Sequence, residues 1–275
     1  MKTFKKILVL LLAFVMVLAM VSCGAKNEEG EDTSLSSVIE RGTLRIAAEG
    51  NWTPYVYNDP ATGELMGFEV EMAAEIAKRI GVEVDETPAD NWDAAIAGLD
   101  TGAYDVLICG AGPTPARKEI YEVGNPYGEQ VVGLAVKADD DSIQEWADLE
   151  GKTSANSLTS SSGKIAQSYG AELVEASLDE AMMLIQRGDA DCQVNDVAAL
   201  TTYIKAHPDC GIEVRLIYQP ENLYEIQSAP ILPKGSVALC EKINEVVAEI
   251  IADGTAKELC IKYFGEDFAN GVTLY

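Results

Sequence analysis

The sequence predicts an α/β fold in two successive halves, each a mostly parallel sheet with helices on its faces. Three observations carry that prediction. From position 43 onward the apolar residues switch, segment by segment, between alternate spacing and three-to-four spacing. The order of the two patterns in the first half recurs in the second. The chain has 275 residues and is 48% apolar, enough for about two domains with real cores.

Each element has its own reason. Residues 43–48 alternate as a strand does. Over 68–80, Met72, Ala73, Ile76, Ala77 and Ile80 fall at helical spacing, and Gly81 supplies the stop. Alternation resumes over 82–86. Asn91 is placed to cap a short helix over 92–99, and 104–109 is a compact apolar strand. That β-α-β-α-β order is the mark of helices laid on a parallel sheet. The second half reads helix over 160–169, strand over 172–175, helix over 178–187, strand over 190–194, helix over 196–206 and strand over 212–217. Leu99, Gly102 and Asp105 share their spacing with Ile185, Gly188 and Asp191, each Gly placed to end a helix in a left-handed turn. Common turn chemistry would give the same coincidence, so it adds little to the repeat. The chain end departs from the scheme. Residues 224–232 are strand-like, and 236–252 and 255–264 are amphipathic helices parted by Asp253-Gly254. With no strands after them, these helices must pack on a lobe already built.

Charge excludes several functions. With 20 basic and 45 acidic residues the formal net charge is −25. That field repels a phosphate backbone and an anionic membrane surface, so no nucleic-acid partner is expected. A zwitterion or a cation suits it better than a polyanion.

Residues 1–22 read as an address. Lys2, Lys5 and Lys6 form a positive start, and 7–21 is an unbroken apolar run of 15 residues, short of the roughly 20 that span a bilayer. Met20-Val21-Ser22-Cys23-Gly24 resembles the lipobox of bacterial lipoprotein signal peptides, with Met20 where Leu is usual. The resemblance implies cleavage before Cys23, a palmitate-bearing lipid anchor on Cys23, and a chain tethered at the extracytoplasmic face of the bacterial cell membrane. The alternative is an ordinary signal-peptidase site beside a free Cys23. Residues 23–35 are acidic and turn-rich, the composition of a solvated linker.

Five further cysteines, Cys109, Cys192, Cys210, Cys240 and Cys260, show neither CxxC nor zinc spacing. Buried small thiols are the simplest reading, though export would permit a Cys192–Cys210 or Cys240–Cys260 bridge. His207 is the sole histidine and precedes Pro208 at a helix end. An exposed loop position is expected for it, and no metal or cofactor.

A set of short motifs then stands in order. Gly42-Thr-Leu-Arg-Ile-Ala opens the first strand, followed by Trp52-Thr-Pro54-Tyr55 and Gly63-Glu-Leu-Met-Gly67-Phe68-Glu-Val-Glu71. Trp92, Gly98-Leu99, Gly102 and Tyr104-Asp105 come next, then Thr114-Pro-Ala-Arg117 and Asn125-Pro126-Tyr127. Asp148-Leu149-Glu150-Gly151-Lys152, Asp253-Gly254-Thr255 and Lys262-Tyr263-Phe264-Gly265 complete the series. Singly weak, together they resemble the extracellular solute-binding proteins of family 3, the amino-acid-binding components of ABC importers, from about residue 42 to 264.

The resemblance implies a two-lobed, periplasmic-binding-protein-like (type II) α/β fold with a hinge of two crossing strands. Lobe 1 would comprise 36–128 plus 226–275 and lobe 2 would comprise 132–222, with crossings near 128–132 and 219–224. It implies a ligand-binding cleft in which Arg117, in the T-x-x-R position, takes the carboxylate of a free amino acid. A guanidinium fork suits that task. Ser161, in Thr159-Ser160-Ser161-Ser162 before a helix, adds hydroxyl and helix-start donors; plain capping would use the same residues. Asp196, which also reads as a helix cap, would take the ammonium. Gly110 and Gly112 would add backbone contacts, Gly112 standing where many relatives carry Ser. Trp52 and Trp92 would sandwich the side chain, although a Trp is more often simply core. Glu49 lies where binders of basic amino acids carry an acid. Ser162-Gly163-Lys164 faintly resembles a P-loop, but Leu158 stands where that loop needs Gly.

The function implied is the extracellular substrate-binding component of an ABC importer, a monomer that captures a cationic or polar amino acid and delivers it to a membrane permease, without catalysis. Two alternatives share the fold: a cyclohexadienyl or arogenate dehydratase-like enzyme, which assays with prephenate and arogenate would reveal, and a ligand-sensing input module.

Overall fold

The computed structural model describes residues 32–266. The signal segment expected over 1–22 and the lipid site expected at Cys23 lie outside the described residues. The first described helix, α1 (Ser34–Arg41), begins inside the stretch read as linker to residue 35. Its polar composition is overridden by docking. Val38 is buried, Leu35 packs against the core, and the Leu239 N–H donates to Ser34 Oγ at 3.1 Å.

Strand β1 (Thr43–Ala48) is followed by a small antiparallel sheet of β2 (Asn51–Trp52), β3 (Val56–Asn58) and β4 (Leu65–Met66), which the sequence reading left unassigned. Helix α2 (Phe68–Ile80) has the bounds its apolar spacing predicts, with Gly81 left-handed at φ 92°. Strand β5 (Glu83–Pro88) pairs in parallel with β1, from Thr43↔Glu83 to Ala48↔Pro88. Asn91 caps α3 (Trp92–Asp100), its side chain accepting the Ala94 N–H at 2.8 Å.

The strand expected over 104–109 is reduced to two single bridges, Ile46↔Val106 and Leu107↔Ile231. The Asp105 side chain is the reason. Its carboxylate takes the Arg45 N–H at 2.8 Å and the Arg45 guanidinium at 2.8 Å, a donor that a neighbouring strand would otherwise have used. Helix α4 (Pro115–Ile120), capped by Thr114, leads through β6 (Tyr121–Val123) to β7 (Gly128–Glu129).

The second lobe is built on β8 (Val132–Lys137), β9 (Thr153–Ala155), α5 (Ser161–Ser168), β10 (Glu172–Val174), α6 (Leu178–Arg187), β11 (Cys192–Asp196), α7 (Val197–Ala206) and β12 (Ile212–Ile217). Its five strands lie in the order β10-β9-β11-β8-β12. The sheet is mixed rather than mostly parallel. Strand β9 runs parallel to β10 and β11, but β8 is antiparallel to both β11 and β12. Strand β8 carries the chain in from β7 and β12 carries it back, so the two must oppose. Five of the six β8 residues are buried because helices and loops cover both sheet faces.

The strand-like run over 224–232 is also broken. A single 3-10 turn gives way to β13 (Gln227–Ser228) and β14 (Ile231–Pro233), separated by Ala229 and Pro230, and Pro has no N–H for a ladder. Strand β13 pairs with β7 and β14 with β6, both antiparallel. The return crossing thus falls at 227–228. Before it, Tyr218 donates its N–H to Val132 O at 2.8 Å, and Ile226 packs on the second lobe's core. Helices α8 (Val237–Ala252) and α9 (Thr255–Phe264) then return to pack on α2.

One apolar cluster runs from Leu44, Ile76 and Ile243 through to Met182 and Leu200 on one face of the second sheet. Leu134, Val136, Ile165 and Val194 form a separate cluster on its other face. All five described cysteines are buried and unpaired, so neither bridge considered from the sequence is present. Among the described residues no helix is long and apolar enough to cross a membrane.

Asn91 sets where Trp92 enters α3, so Asn91→Ala should destabilise the fold by about 1 kcal/mol. Urea denaturation should show a lower midpoint at unchanged slope, with Asn91→Asp, an equally good cap, staying close to the parent.

Candidate functional site

Between the lobes lies a cavity of about 620 Å³ counted with its mouth. Its wall contains Glu49, Trp52, Trp92, Cys109 and Gly110 from the first lobe. The second lobe supplies Asn156, Ser160, Ser161, Ser162, Ser177, Gln193 and Asn195. Glu49 is the one ionisable carboxylate in this wall.

The lobes touch directly around it. Trp52 Nε1 donates to Asn195 Oδ1 at 3.2 Å. Asp93, in the first turn of α3, accepts the N–H of Leu158 at 3.0 Å and of Thr159 at 3.1 Å, and the Thr159 hydroxyl as well. Glu175 accepts the same Leu158 N–H at 3.1 Å, and burial followed by its hydrogen bond to Asp93 pushes its carboxyl up to about 7.

Arg117 is 9% exposed. Its guanidinium donates to Gly112 O at 2.9 Å, Ser161 Oγ at 3.3 Å and Thr159 O at 3.1 Å, and its Cζ stands 5.3 Å from the Trp92 ring centroid. Among the described residues no carboxylate pairs with it. Loss of hydration lowers its pKa to about 10, so it stays charged at neutral pH. Helix α4 projects this side chain because Thr114 caps it and the proline at its start suits its first turn.

Asp196 caps α7, its Oδ1 accepting from Ala198 N at 2.7 Å and Ala199 N at 3.2 Å. It is fully buried, and desolvation raises its carboxyl to about 6 despite those bonds. Its Oδ2 has no hydrogen bond; the Tyr55 hydroxyl and Val131 N–H offset the desolvation only from further off. Glu49 keeps some surface open to the cavity, but the packing around its carboxyl raises its pKa to about 7. The Cys109 thiol donates to it from 3.7 Å.

The structure therefore places Glu49, Trp52, Trp92, Gly110 and Ser161 in the cavity wall, and Arg117, Gly112 and Asp196 immediately outside it. Arg117 is held by contacts across the seam to Ser161 Oγ and the Thr159 carbonyl, Gly112 O accepts from Arg117 within the first lobe, and Asp196 is engaged in capping α7. Gly112 is also explained. A Cβ there would lie 2.7 Å from Tyr224 O and 2.9 Å from Ser161 Oγ, leaving no room for the side chain of Ser. At Gly110, with φ 61°, a Cβ would strike the Trp52 ring at 2.4 Å.

Sequence reading missed Asn51, Asp93, Gln130, Asn156, Gln193 and Asn195. A signal existed for two of them. Gln193 and Asn195 alternate with buried Cys192 and Val194 along β11, the period-two pattern of a strand with one polar face inside the molecule. Asp93 and Asn156 had none, because their roles depend on loops that meet only in the folded chain.

Two lobes closed on a cavity that is polar on one side and aromatic on the other define a class of ligand-capturing proteins. A family model described as bacterial extracellular solute-binding proteins, family 3, matches residues 44–266, and the chain belongs to that family. It is similar to the L-cystine-binding protein TcyA of Bacillus subtilis (strain 168), 33% identical over 272 residues, 96% of this chain and 98% of that one. It is also similar to the L-cystine-binding protein TcyJ of Escherichia coli (strain K12), 30% identical over 92% of this chain and 94% of the relative. Among solved structures, an ancestral arginine-binding protein bound to arginine superposes with a TM-score of 0.73 at 33% identity, covering 82% of this chain and 99% of its own. An ancestral amino acid-binding protein, a precursor of cyclohexadienyl dehydratase, gives 0.72 at 27% identity over 84% and 99%.

Asp93→Ala removes three bonds across the seam, together about 1–2 kcal/mol because the freed N–H groups can reach water. Solution scattering of this variant without added ligand should show a larger radius of gyration than the parent, at unchanged helix content by circular dichroism.

Proposed function

We propose that this protein captures a free amino acid between its lobes, closes over it, and hands it to the permease of an ABC importer. The observation that carries the proposal is Arg117. A cation this buried, without a carboxylate partner among the described residues, stands against the serine-rich start of α5. Burying an uncompensated charge is expensive, and a ligand carboxylate would supply the missing anion. Thr159 O and Ser161 Oγ are the contacts it would replace or share. Asp196, with one oxygen unbonded, is the matching acceptor for an ammonium. Trp52 and Trp92 would flank the side chain. Glu49, the one acidic group in the wall, favours a side chain with a distal cationic nitrogen. The L-cystine and arginine named for the relatives both carry one.

Binding rather than catalysis is proposed because every charged group of the site is matched by a charge on the amino acid itself. Turnover of prephenate or arogenate would argue for the enzyme reading. Export and a lipid at Cys23 are proposed on the sequence of the first 24 residues. Cys23→Ala should move the protein from the membrane fraction to the soluble one, and mass spectrometry of the parent should find the lipid at its N-terminus.

Arg117→Ala should weaken amino-acid binding by about 2–5 kcal/mol, roughly thirty- to several-thousand-fold, with the fold intact by circular dichroism. Near-parental affinity by calorimetry would refute the headgroup assignment.

Glu49 gives a pH dependence. With its carboxyl at about 7 it is mostly protonated below that pH. A cationic ligand group must then expel the proton, so affinity should rise with pH up to about 7 and level off above. Glu49→Gln should bind more weakly and lack this rise. Comparing the two proteins separates Glu49 from Glu175 and Asp196, which titrate nearby.

A further inference from the structure

We propose that Gln193 and the Trp92 indole read the far end of the ligand, and that the ligand ends there in a second amino-acid head, making it an α,α′-diamino dicarboxylic acid. This rests on the amino-acid-capture reading given above and names its substrate class.

The observation is a pair of unmet polar atoms. Gln193 is 1% exposed and Trp92 is 8% exposed. Both line the interlobe cavity, one from β11 and the other from α3. Gln193 Oε1 and Trp92 Nε1 are buried without a hydrogen-bond partner. Such atoms are rare in folded proteins because each lost bond is costly. Two in one small cavity, on opposite lobes, form an incomplete site that a ligand completes on closure.

Their chemistry is opposite. The indole N–H can only donate, so it requires an acceptor. The amide oxygen requires a donor. Glu49, which lines the same cavity and accepts the Trp92 backbone N–H and the Cys109 thiol, requires a cationic nitrogen. A guanidinium or ammonium terminus satisfies Gln193 and Glu49 but gives the indole nothing. An amide satisfies the indole and Gln193 but leaves Glu49 without a cation. A hydrocarbon satisfies none of them. An ammonium and a carboxylate on one carbon satisfy all three. Ser177 and Leu178, at the start of α6, line the same cavity. The carboxylate at the near end is already provided for by Arg117 and Ser161, so the indole is left for the distal one.

Calorimetric titration of the full-length protein in mild detergent with L-cystine, L-arginine, L-glutamine and L-leucine tests this. L-cystine should bind most tightly. Gln193→Met should weaken L-cystine by about ten- to a hundredfold and narrow its lead over L-leucine. Trp92→Phe, which keeps the ring and removes only the N–H, should weaken L-cystine but not L-arginine. Circular dichroism melts verify that both variants fold. Tighter binding of L-arginine or L-glutamine by the parent would overturn the inference. So would equal weakening of all four ligands in either variant, or no weakening of L-cystine. A parent that binds none of the four refutes amino-acid capture itself, whereas a parent that binds while its variants behave like it refutes only the reading of the distal end.

Discussion

An arginine buried between two lobes with no acid among the described residues to neutralise it is the constraint around which this structure is arranged. In a chain with 45 acidic residues, pairing Arg117 with a carboxylate would have been easy. Instead its fork is held by neutral oxygens, two backbone carbonyls and a serine hydroxyl, and it lies over the Trp92 ring. Neutral partners hold the guanidinium in place without cancelling its charge. The residues around it follow from that need. Thr114 caps the short helix that aims it, Gly112 leaves room beside it, and the serines at the start of α5 meet it from the other lobe.

The second consequence concerns closure. Among the described residues four buried side-chain atoms lack a hydrogen bond, and three of them, on Trp92, Gln193 and Asp196, stand around the seam between the lobes. The fourth, on Glu69, lies where Tyr127 donates to that carboxylate at 2.5 Å, next to the β7 crossing strand. The arrangement of the lobes thus leaves polar atoms buried without a partner from the protein. A ligand that supplies the missing bonds favours the closed arrangement, which is all that a population shift requires. The Asp93 contacts at the rim act the other way, holding the lobes together through groups that reach water when released.

Aromatic packing ties the site to the rest of the first lobe. Trp52 stacks on Tyr55 with centroids 4.1 Å apart, and Tyr55 meets Phe264 at 5.0 Å. Phe264 is the last residue of α9, so the last described helix supports the cavity wall to which Trp52 belongs. The two closing helices belong to the first lobe for this reason as much as for their burial against α2.

Much of the fold was legible in the sequence because it is local. Helices α2, α6 and α9 begin and end where apolar spacing, Gly81 and Gly188 put them, and Asn91 and Asp196 cap the helices they precede. Glu49, Trp52, Trp92, Gly110 and Ser161 could be named from ordered motifs and do line one cavity. What only the tertiary structure decided depends on chain segments far apart. Strand 104–109 lost its ladder to the Asp105 side chain, 224–232 broke at Pro230, and β8 runs antiparallel to β12 because one carries the chain into the lobe and the other carries it back. Asp93 reaching residues 158 and 159, and Gln193 and Trp92 lining one cavity from opposite lobes, have no trace in any local window. Spacing along a chain encodes which face of a helix or strand is apolar; which polar groups are left to face each other depends on how the lobes meet.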